Sequence, residues 1–562
     1  MKPSISPRCG RGAAGLFGII LFGGVAAPPS QATTLYWDTA AGAGNGVGGS
    51  GTWSSASTNW STTTTGDATL VAAVATDALV FQGTAGTMTV SGAKNAASWT
   101  VNTTGYTFAS SGARNLQGPI TLANSVNLTL AGTVSGDSLG FNSSTTGTSG
   151  GTGSAVTLAN TLGAFTLDLR NTSFLGASAP IIITASGAAT STTIGNSTGT
   201  GYVNATIANS SSVPLTLASG VSGATSGTLV VNGKISGTQA VIFSTMNGGA
   251  TFGRIELSAA NDYTGETRFN GVAGAAQSTT VGLVKLTTSN AISTVSNVIM
   301  GYSSGKGENL DLAGKNQALA SLTSNAGGTG SIFNSAVGTS TLTISGAATT
   351  GSFGLAISDG ADATRKVALT RSGTGTTTLT NTSTYSGATT VTGGKLVIDG
   401  NISTSSLTSV SGTGTLGGSG TVGAATILAG GTLAPGNSIG TLNFSQTLTL
   451  AGTSNFEVDP TLGLGLNADR ANVASGVTYG GTLNVTYAGL STDFANGMMF
   501  NLFDAGSFAG TFATLNLPTL AGGLTWQNDL ASNGSITVVP EPPAAMVAGG
   551  LGLLALLRRR RI

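Results

Sequence analysis

The sequence of 562 residues is rich in glycine, with 88 copies, and only 7% of its residues are Asp, Glu, Lys or Arg. It has no histidine and one cysteine, which excludes Ser-His-Asp relays, histidine-bearing zinc sites, cysteine-rich metal sites and an internal disulfide. The formal net charge of +1 gives no basic surface, so we expect no nucleic-acid partner.

The first 32 residues have the features of a secretory signal peptide. Lys2, Arg8 and Arg11 precede an apolar run, Ala13–Ala27, and small residues stand before a predicted cleavage after Ala32. A membrane anchor is the alternative, but the run is shorter than the roughly 20 residues that span a bilayer. We therefore expect export through the secretion translocon and cleavage by signal peptidase.

Three tryptophans, Trp37, Trp53 and Trp60, lie in the segment 33–80. We expect them to form the core of a cap, because an uncovered sheet edge would pair with other chains. The alternative is an exposed platform on which the three indole rings make a glycan contact.

The long middle of the chain, 81–439, favours short strands. Thr, Ser, Gly, Ala and Asn dominate it, and no stretch has an apolar period of 3.6, so we predict almost no helix. Val410, Leu416, Val422 and Leu428 recur every six residues. Strands this short bury a face only when they stack, which predicts an all-β fold of the elongated parallel β-helix (β-solenoid) type. Aligned Thr, Ser and Asn side chains would then hydrogen-bond between neighbouring coils.

An internal repeat supports this interpretation. Leu257–Gly271 aligns without gaps on Leu379–Gly393, with Leu, Tyr, Gly, Thr, an apolar residue and Gly at matching positions. We interpret each copy as strand, tight turn and strand, with the flanking apolar residues pointing inward. Gly387 would supply the freedom in φ that the turn needs, and Tyr385 would pack along the turn with its hydroxyl at the edge.

Two loose groups of charged residues are candidates for acid–base chemistry, because paired carboxylates cleave glycosidic bonds when they converge. The groups are Asp359, Asp362, Arg365 and Lys366, and Asp459, Asp469 and Arg470. Their spacing is not diagnostic, and solvated turns are the competing interpretation. We predict a protein that is not an enzyme, with no catalytic residue, cofactor or metal; a polysaccharide lyase or hydrolase on a β-helix is the less favoured alternative.

The last residues combine three features of a processing signal. The parts are Pro540, Glu541 and Pro542, the apolar stretch Ala544–Leu557, and the cluster Arg558, Arg559, Arg560 and Arg561. As a helix, the 14-residue stretch covers about 21 Å of the roughly 30 Å hydrocarbon core. The positive-inside rule keeps the arginines cytoplasmic, which predicts transient anchoring in the inner membrane. An ordinary tail anchor is the alternative.

This C-terminal segment resembles the PEP-CTERM sorting signal of Gram-negative bacteria in all three parts. The resemblance implies an exosortase-like membrane processing enzyme and delivery to the cell surface or extracellular matrix. Leu379–Ile398, together with Gly412–Gly420 and Gly430–Leu442, resembles the autotransporter-associated β-strand repeat of the passenger-associated type. That resemblance implies a right-handed parallel β-helix at the cell surface.

The expected organisation has five regions. These are the signal peptide 1–32, the N-terminal cap 33–80, a β-solenoid 81–439 with repeat copies near 257–271 and 379–442, a C-terminal β region 440–539, and the sorting signal 540–562 with its apolar helix. The expected function is that of an exported, non-enzymatic β-solenoid that acts in adhesion, scaffolding or biofilm, in association with extracellular polysaccharide. A glycan-binding module is the alternative.

Overall fold

The computed structural model describes residues 33–542 with internal gaps. The gaps are 43, 45, 55, 111–112, 118–119, 124–125, 133–136, 143–148, 151–154, 171–172, 175–179, 197–198, 220–226, 246, 249–250, 271–281, 303–307 and 348–350. The predicted signal peptide with Ala32, the apolar stretch Ala544–Leu557 and the arginine cluster 558–561 lie outside the described residues.

The fold is all-β, as the sequence predicts. Within the described residues, helix is confined to one 3₁₀ turn, Ser491–Asp493, and one α-helical turn, Leu530–Asn533. Between 33 and 542, outside the gaps, no helix is long and apolar enough to cross a membrane.

The strands of the described residues form seven sheets, five of them large. The six-stranded sheet contains, in pairing order, Ser149–Gly150, Ile120–Leu122, Ser98–Val101, Ala78–Phe81, Thr34–Trp37 and Trp60–Ser61. The sixteen-stranded sheet follows the path Gly51–Trp53, Thr87–Val90, Tyr106–Ser110, Asn127–Gly132, Ala155–Arg170, Ile181–Asn196, Leu215–Ser219, Val241–Thr245, Thr267–Phe269, Asn297–Met300 and Ser321–Ser324. Off this path it includes Lys94–Asn95, Ala113–Gln117, Asp137–Asn142, Ile207–Asn209 and Ile235–Gly237.

The other sheets follow the same scheme. The first eight-stranded sheet contains Ser173–Phe174, Thr200–Val203, Thr228–Val231, Arg254–Leu257, Gly282–Leu286, Glu308–Asp311, Ser331–Phe333 and Ala356–Ile357. The twelve-stranded sheet contains Gln317–Leu319, Gly338–Ile344, Arg365–Arg371, Thr389–Val391, Thr408–Val410, Ala425–Ile427, Leu448–Leu450, Arg470–Tyr479, Thr441–Phe444, Thr421–Val422, Asn401–Ile402 and Phe503–Gly510. The second eight-stranded sheet contains Ser352–Phe353, Thr376–Leu379, Lys395–Ile398, Thr415–Gly418, Thr432–Pro435, Thr453–Glu457, Thr482–Thr486 and Thr514–Asn516. The two small antiparallel sheets are Met499–Asn501, Ser535–Pro540 and Leu524–Asp529, and Asn247–Gly248 and Thr251–Phe252.

Neighbouring strands in the large sheets are mostly parallel and come from successive passes of the chain. Thr389 pairs with Thr408, and Thr408 pairs with Ala425, so each pass places a strand of the same length beside the previous one. The advance varies along the chain, from 17 residues between Thr408 and Ala425 to 44 between Thr34 and Ala78. The segments between strands absorb most of this variation. Two strand pairs, Ala155–Arg170 with Ile181–Asn196 and Arg470–Tyr479 with Phe503–Gly510, also shift register within the pair.

The core consists of apolar side chains stacked in columns along the direction of strand pairing. Val391, Val410, Ile427 and Leu450 occupy consecutive paired positions, and each is at most 2% exposed. At the other end of this column, Val391 pairs with Arg371, which is 1% exposed. The two terminal nitrogens of Arg371 donate to backbone carbonyls of the preceding pass. Each strand is too short to bury a face alone, so the column forms only because the strands stack.

Three of the four residues that recur every six positions lie in the core. Val410, Leu416 and Val422 are fully buried, but Leu428 is 43% exposed. Strand Ala425–Ile427 alternates inward and outward and ends at Ile427, so Ile427 fills the core position. Leu428 therefore lies outside the core although it continues the six-residue spacing.

The internal repeat is reproduced in atomic detail. The Tyr385 hydroxyl is hydrogen-bonded to Thr389 Oγ1 (2.7 Å), which is bonded to Ser405 Oγ (2.9 Å), and Ser405 donates to the carbonyl of Gly387 (3.1 Å). The first copy forms the same chain through Tyr263, Thr267, Ser296 and Gly265, with distances of 2.7, 2.8 and 2.7 Å. Both tyrosines are at most 1% exposed, so their hydroxyls lie in the core rather than at an edge.

Glycine is required at this corner for a different reason from the predicted one. Gly387 does not have a positive φ; a Cβ there would lie 2.2 Å from the carbonyl oxygen of Val367. A Cβ at Gly265 would likewise lie 2.1 Å from the carbonyl oxygen of Gln239. The close approach of the previous pass therefore excludes any side chain at both positions.

Adjacent residues provide a test of the stacked core. Ile427→Ala removes a fully buried side chain from the column and should lower the free energy of unfolding by about 2–5 kcal/mol. Leu428→Ala, at the exposed neighbour, should change it by less than about 0.5 kcal/mol. Urea unfolding followed by circular dichroism measures both, and equal losses would contradict the register described above.

Candidate functional site

The three tryptophans predicted as a cap core or a glycan contact are close together and buried. Trp37 and Trp60 are 0% exposed and Trp53 is 4% exposed. Trp60 packs edge-on against both others, with ring centroids 5.2 Å apart in each pair. Phe81 and Trp99 continue the cluster. Rings packed in this way favour the cap-core interpretation, because a sugar needs an open ring face.

The first group of charged residues stabilises turns. Asp359 accepts backbone N–H groups of Val367 (2.8 Å) and Ser386 (3.0 Å), so it joins two passes of the chain. Asp362 forms an ion pair with Arg365 three residues on. These contacts account for three of the four residues without acid–base chemistry.

One member of the second group, Asp469, lines a cleft, which we call the C-terminal cleft. Its volume is about 610 Å³, and its lining is mainly polar. The lining residues are Lys395, Ala434, Pro435, Gly436, Asn437, Ser438, Asn455, Phe456, Glu457, Asp469, Asn484, Val485, Thr486, Asn516 and Leu517. The outward side chains of the second eight-stranded sheet supply one wall, and the loop 436–440 supplies another.

Asp469 holds the wall of this cleft together. It is 3% exposed, and its two oxygens accept the backbone N–H groups of Gly440 and Glu457, both at 2.9 Å. Burial raises the pKa of the Asp469 carboxyl to about 7, and the charge of Glu457 contributes to the rise. The two hydrogen bonds and the positive charge of Lys395 act in the opposite direction but do not cancel the effect of burial.

The other two members of the second group lie apart from Asp469. Arg470 donates to the carbonyl of Gly465 (3.4 Å), and Asp459 lines a separate groove of about 330 Å³ beside Tyr487. Sequence reasoning missed Glu457 and Lys395. For Glu457 a signal was available, because buried and exposed residues alternate in strand Thr453–Glu457 and this alternation points Glu457 outward.

A ladder of asparagine amides runs along the cleft. Asn484 donates to the side-chain oxygen of Asn455 (2.9 Å), and Asn516 donates to that of Asn484 (2.7 Å). Similar pairs link Asn472 to Asn443 and Asn232 to Asn204, which confirms that aligned side chains hydrogen-bond between passes. Each amide has two N–H groups and two acceptor lone pairs, so a ladder bond leaves further bonding capacity for a ligand.

The loop 436–440 has unusual backbone geometry. Ser438 has φ of 98°, in a region that residues with a side chain rarely adopt. Its neighbours are fixed by side chains of other passes: Asn437 donates to Asp399 (2.9 Å), and the N–H of Gly440 donates to Asp469. Such conformations persist where surrounding structure imposes them and are enriched at ligand sites.

The predicted processing motif lies at the end of an antiparallel sheet. Pro540 ends strand Ser535–Pro540 opposite Leu524, and the Glu541 N–H donates to the carbonyl of Gly523 (3.0 Å). Pro540, Glu541 and Pro542 are all exposed. The motif therefore lies on the surface where the described chain ends.

Among the residues that the structure describes, no group of three or more Cys, Asp or Glu side chains is placed to hold a metal ion. A scan against protein-family models gives no match, and a search of the curated proteins gives none. The two resemblances drawn from sequence motifs stay predictions.

The buried carboxyl should make stability depend on pH. The folded chain keeps a proton on Asp469 up to about pH 7, whereas the ordinary pKa is 3.8, so this group stabilises the fold at low pH. That contribution should be lost as pH rises through about 7. In wild-type protein the free energy of unfolding should therefore decrease between about pH 4 and pH 7, and Asp469→Asn should reduce this decrease. The variant also loses one hydrogen bond, which lowers its stability equally at every pH.

Urea unfolding of both proteins across this pH range makes the comparison. Glu308, whose pKa burial raises to about 8, titrates in both proteins and cancels in the difference. Leu428→Ala, which removes no titratable group, is the control and should keep the wild-type slope. An unchanged slope in Asp469→Asn would show that Asp469 does not retain its proton on folding.

Proposed function

We propose that this chain is an exported, non-enzymatic protein of the cell surface or extracellular matrix, in which the parallel ladders wind into one right-handed β-solenoid. The in-register stacking of successive passes is the observation that carries the proposal, since a repeated strand–corner unit builds an elongated body with a periodic surface. Its role would be adhesion, scaffolding or biofilm structure. The predicted signal peptide, 1–32, would direct the chain through the secretion translocon to signal peptidase. The predicted sorting signal, 540–562, would direct it to an exosortase-like enzyme.

The surface chemistry of the ladders suits an extracellular scaffold. Thr390, Ser409, Thr426 and Thr449 form an outward row of hydroxyl groups at consecutive paired positions. Uncharged rows avoid the repulsion that like charges would create when stacked at about 4.8 Å. Such a surface offers many identical hydrogen-bonding groups, which supports association with extracellular polysaccharide.

Glycan binding is the second candidate, and the C-terminal cleft is its best location. The amide ladder of Asn455, Asn484 and Asn516 lies along this cleft, and the strained loop at Ser438 forms its rim. Amides that both donate and accept are complementary to sugar hydroxyl groups. We therefore propose the C-terminal cleft, and not the buried tryptophans, as the candidate glycan contact.

A lyase or hydrolase remains the least favoured candidate. Asp469 and Glu457 do share one cleft, but both oxygens of Asp469 are engaged by backbone N–H groups. A catalytic acid must exchange its proton with a substrate, whereas this carboxyl joins two segments of the wall. The geometry supports a structural role.

Removal of residues 543–562 tests the proposed sorting. The truncated protein should lose its retention at the cell surface and its C-terminal processing, because both are assigned to the apolar stretch and the arginines. Cell fractionation and mass spectrometry of the two mature termini measure this. A variant with all four arginines changed to lysine keeps the positive charge and should be sorted more normally than one with four alanines. Unchanged localisation and processing after the truncation would rule the sorting out.

A second experiment tests glycan binding. Asn484→Ala removes the central amide of the cleft ladder and should weaken binding to extracellular polysaccharide about tenfold, since one or two hydrogen bonds worth about 1 kcal/mol each are lost. Asn232→Ala removes an exposed amide of the pair with Asn204 and serves as the control. Co-sedimentation with the polysaccharide, with circular dichroism to confirm folding, measures both. Equal binding by the two variants would exclude the cleft.

A further inference from the structure

A surface loop presents three leucines to solvent. The segment 459–467, which we call the leucine loop, is closed at its base by the Asp459 N–H donating to the carbonyl of Asn467 (2.8 Å). Leu462, Leu464 and Leu466 are 44%, 77% and 70% exposed. Three exposed leucines within five residues form a concentrated apolar surface, of the kind that marks interaction sites.

The loop is internally bonded and anchored to the body. Leu466 donates its N–H to the carbonyl of Gly463 (3.0 Å), and Leu462 donates to that of Asp459 (3.2 Å). Asn467 is 7% exposed, and its side-chain amide donates to the carbonyl of Met499 (3.0 Å). These bonds hold the leucines away from the core, so the exposure is a property of the folded loop.

Asn467 connects the leucine loop, through Met499, to the sheet in which the described chain ends. Met499, itself 38% exposed, pairs with Thr537 in strand Ser535–Pro540. Beyond Pro542 the sequence continues into the 14-residue apolar stretch Ala544–Leu557 and four arginines. The leucine loop is therefore bonded to the three-stranded sheet whose strand Ser535–Pro540 leads to the C-terminal end of the described chain.

We propose that the leucine loop docks on a lipid bilayer, with its three leucines in the interface, while the C-terminal stretch holds the chain at the membrane. The inference rests on the membrane step of the proposed function. Glycines alternate with the leucines and let the tip enter the interface without bulky neighbours. Arg470, bonded to the loop at Gly465, adds a positive charge that suits anionic headgroups.

The chain's own apolar stretch is a less suitable occupant. Four arginines follow Leu557 directly, so packing Ala544–Leu557 on the loop would bring four positive charges towards Arg470. On a bilayer, the same charges separate across the membrane or meet anionic lipid.

A fluorescent reporter on the full-length chain tests the docking. Gly463 accepts a side chain, because a Cβ there meets no atom within 4 Å and its φ is not in the left-handed region. Gly463→Cys, in a Cys9→Ser background, is labelled with an environment-sensitive dye and mixed with vesicles of phosphatidylethanolamine and phosphatidylglycerol. Gly351→Cys, equally open, is the matched control, and Ala548→Cys reports on the C-terminal stretch.

The expected result is a blue shift of the dye at 463 on vesicle addition, none at 351, and loss of the shift when all three leucines are changed to serine. A shift at 548 with none at 463 would overturn the docking and leave membrane anchoring intact. A shift at 463 with none at 548 would support the loop and contradict the anchoring. If the dye at 463 already emits at a shorter wavelength than the dye at 351 before vesicles are added, the proposal is overturned. The occupant of the loop would then be the chain's own apolar stretch or a second copy of the chain.

Discussion

Backbone hydrogen bonding between successive passes of the chain is the interaction on which the structure depends. The strands are commonly three to five residues long, so no single strand or pair could bury enough apolar surface to fold alone. Each pass completes the hydrogen bonds of the one before it and extends the columns of Val, Ile and Leu by one position. The columns and the ladders are thus two consequences of the same register.

Close stacking also explains why glycine is so abundant. Gly387 and Gly265 occupy equivalent corners, and at each a side chain would collide with a carbonyl oxygen of the previous pass. At Gly400 and Gly420 a Cβ would lie 2.1 and 2.0 Å from the carbonyl oxygens of Asn381 and Gly400. The glycine content is therefore linked to the distance between passes as well as to the turns, where many glycines have a positive φ.

Two loops in the C-terminal part of the described chain depart from the regular stacking. At the C-terminal cleft, the loop containing Ser438 departs from the ladder and is held by Asp399 and Asp469. At the leucine loop, an insertion between two ladder strands presents apolar residues to water. Because the ladders would be complete without these loops, they are the places where a binding role can be added without disturbing the core.

Much of the fold could be predicted from the sequence, because composition and local alternation already favour short strands. The absence of histidine and the single cysteine excluded whole classes of sites, and the alignment of the two repeat copies identified Tyr263 and Tyr385 as equivalent. Tertiary structure decided what depends on contacts between distant passes. It buried Ile427 in place of Leu428, brought Glu457 and Lys395 to Asp469, and stacked Asn455, Asn484 and Asn516 into one ladder. Residues that meet in these contacts are separated by variable insertions, and only the register of the stacked strands determines which of them become neighbours.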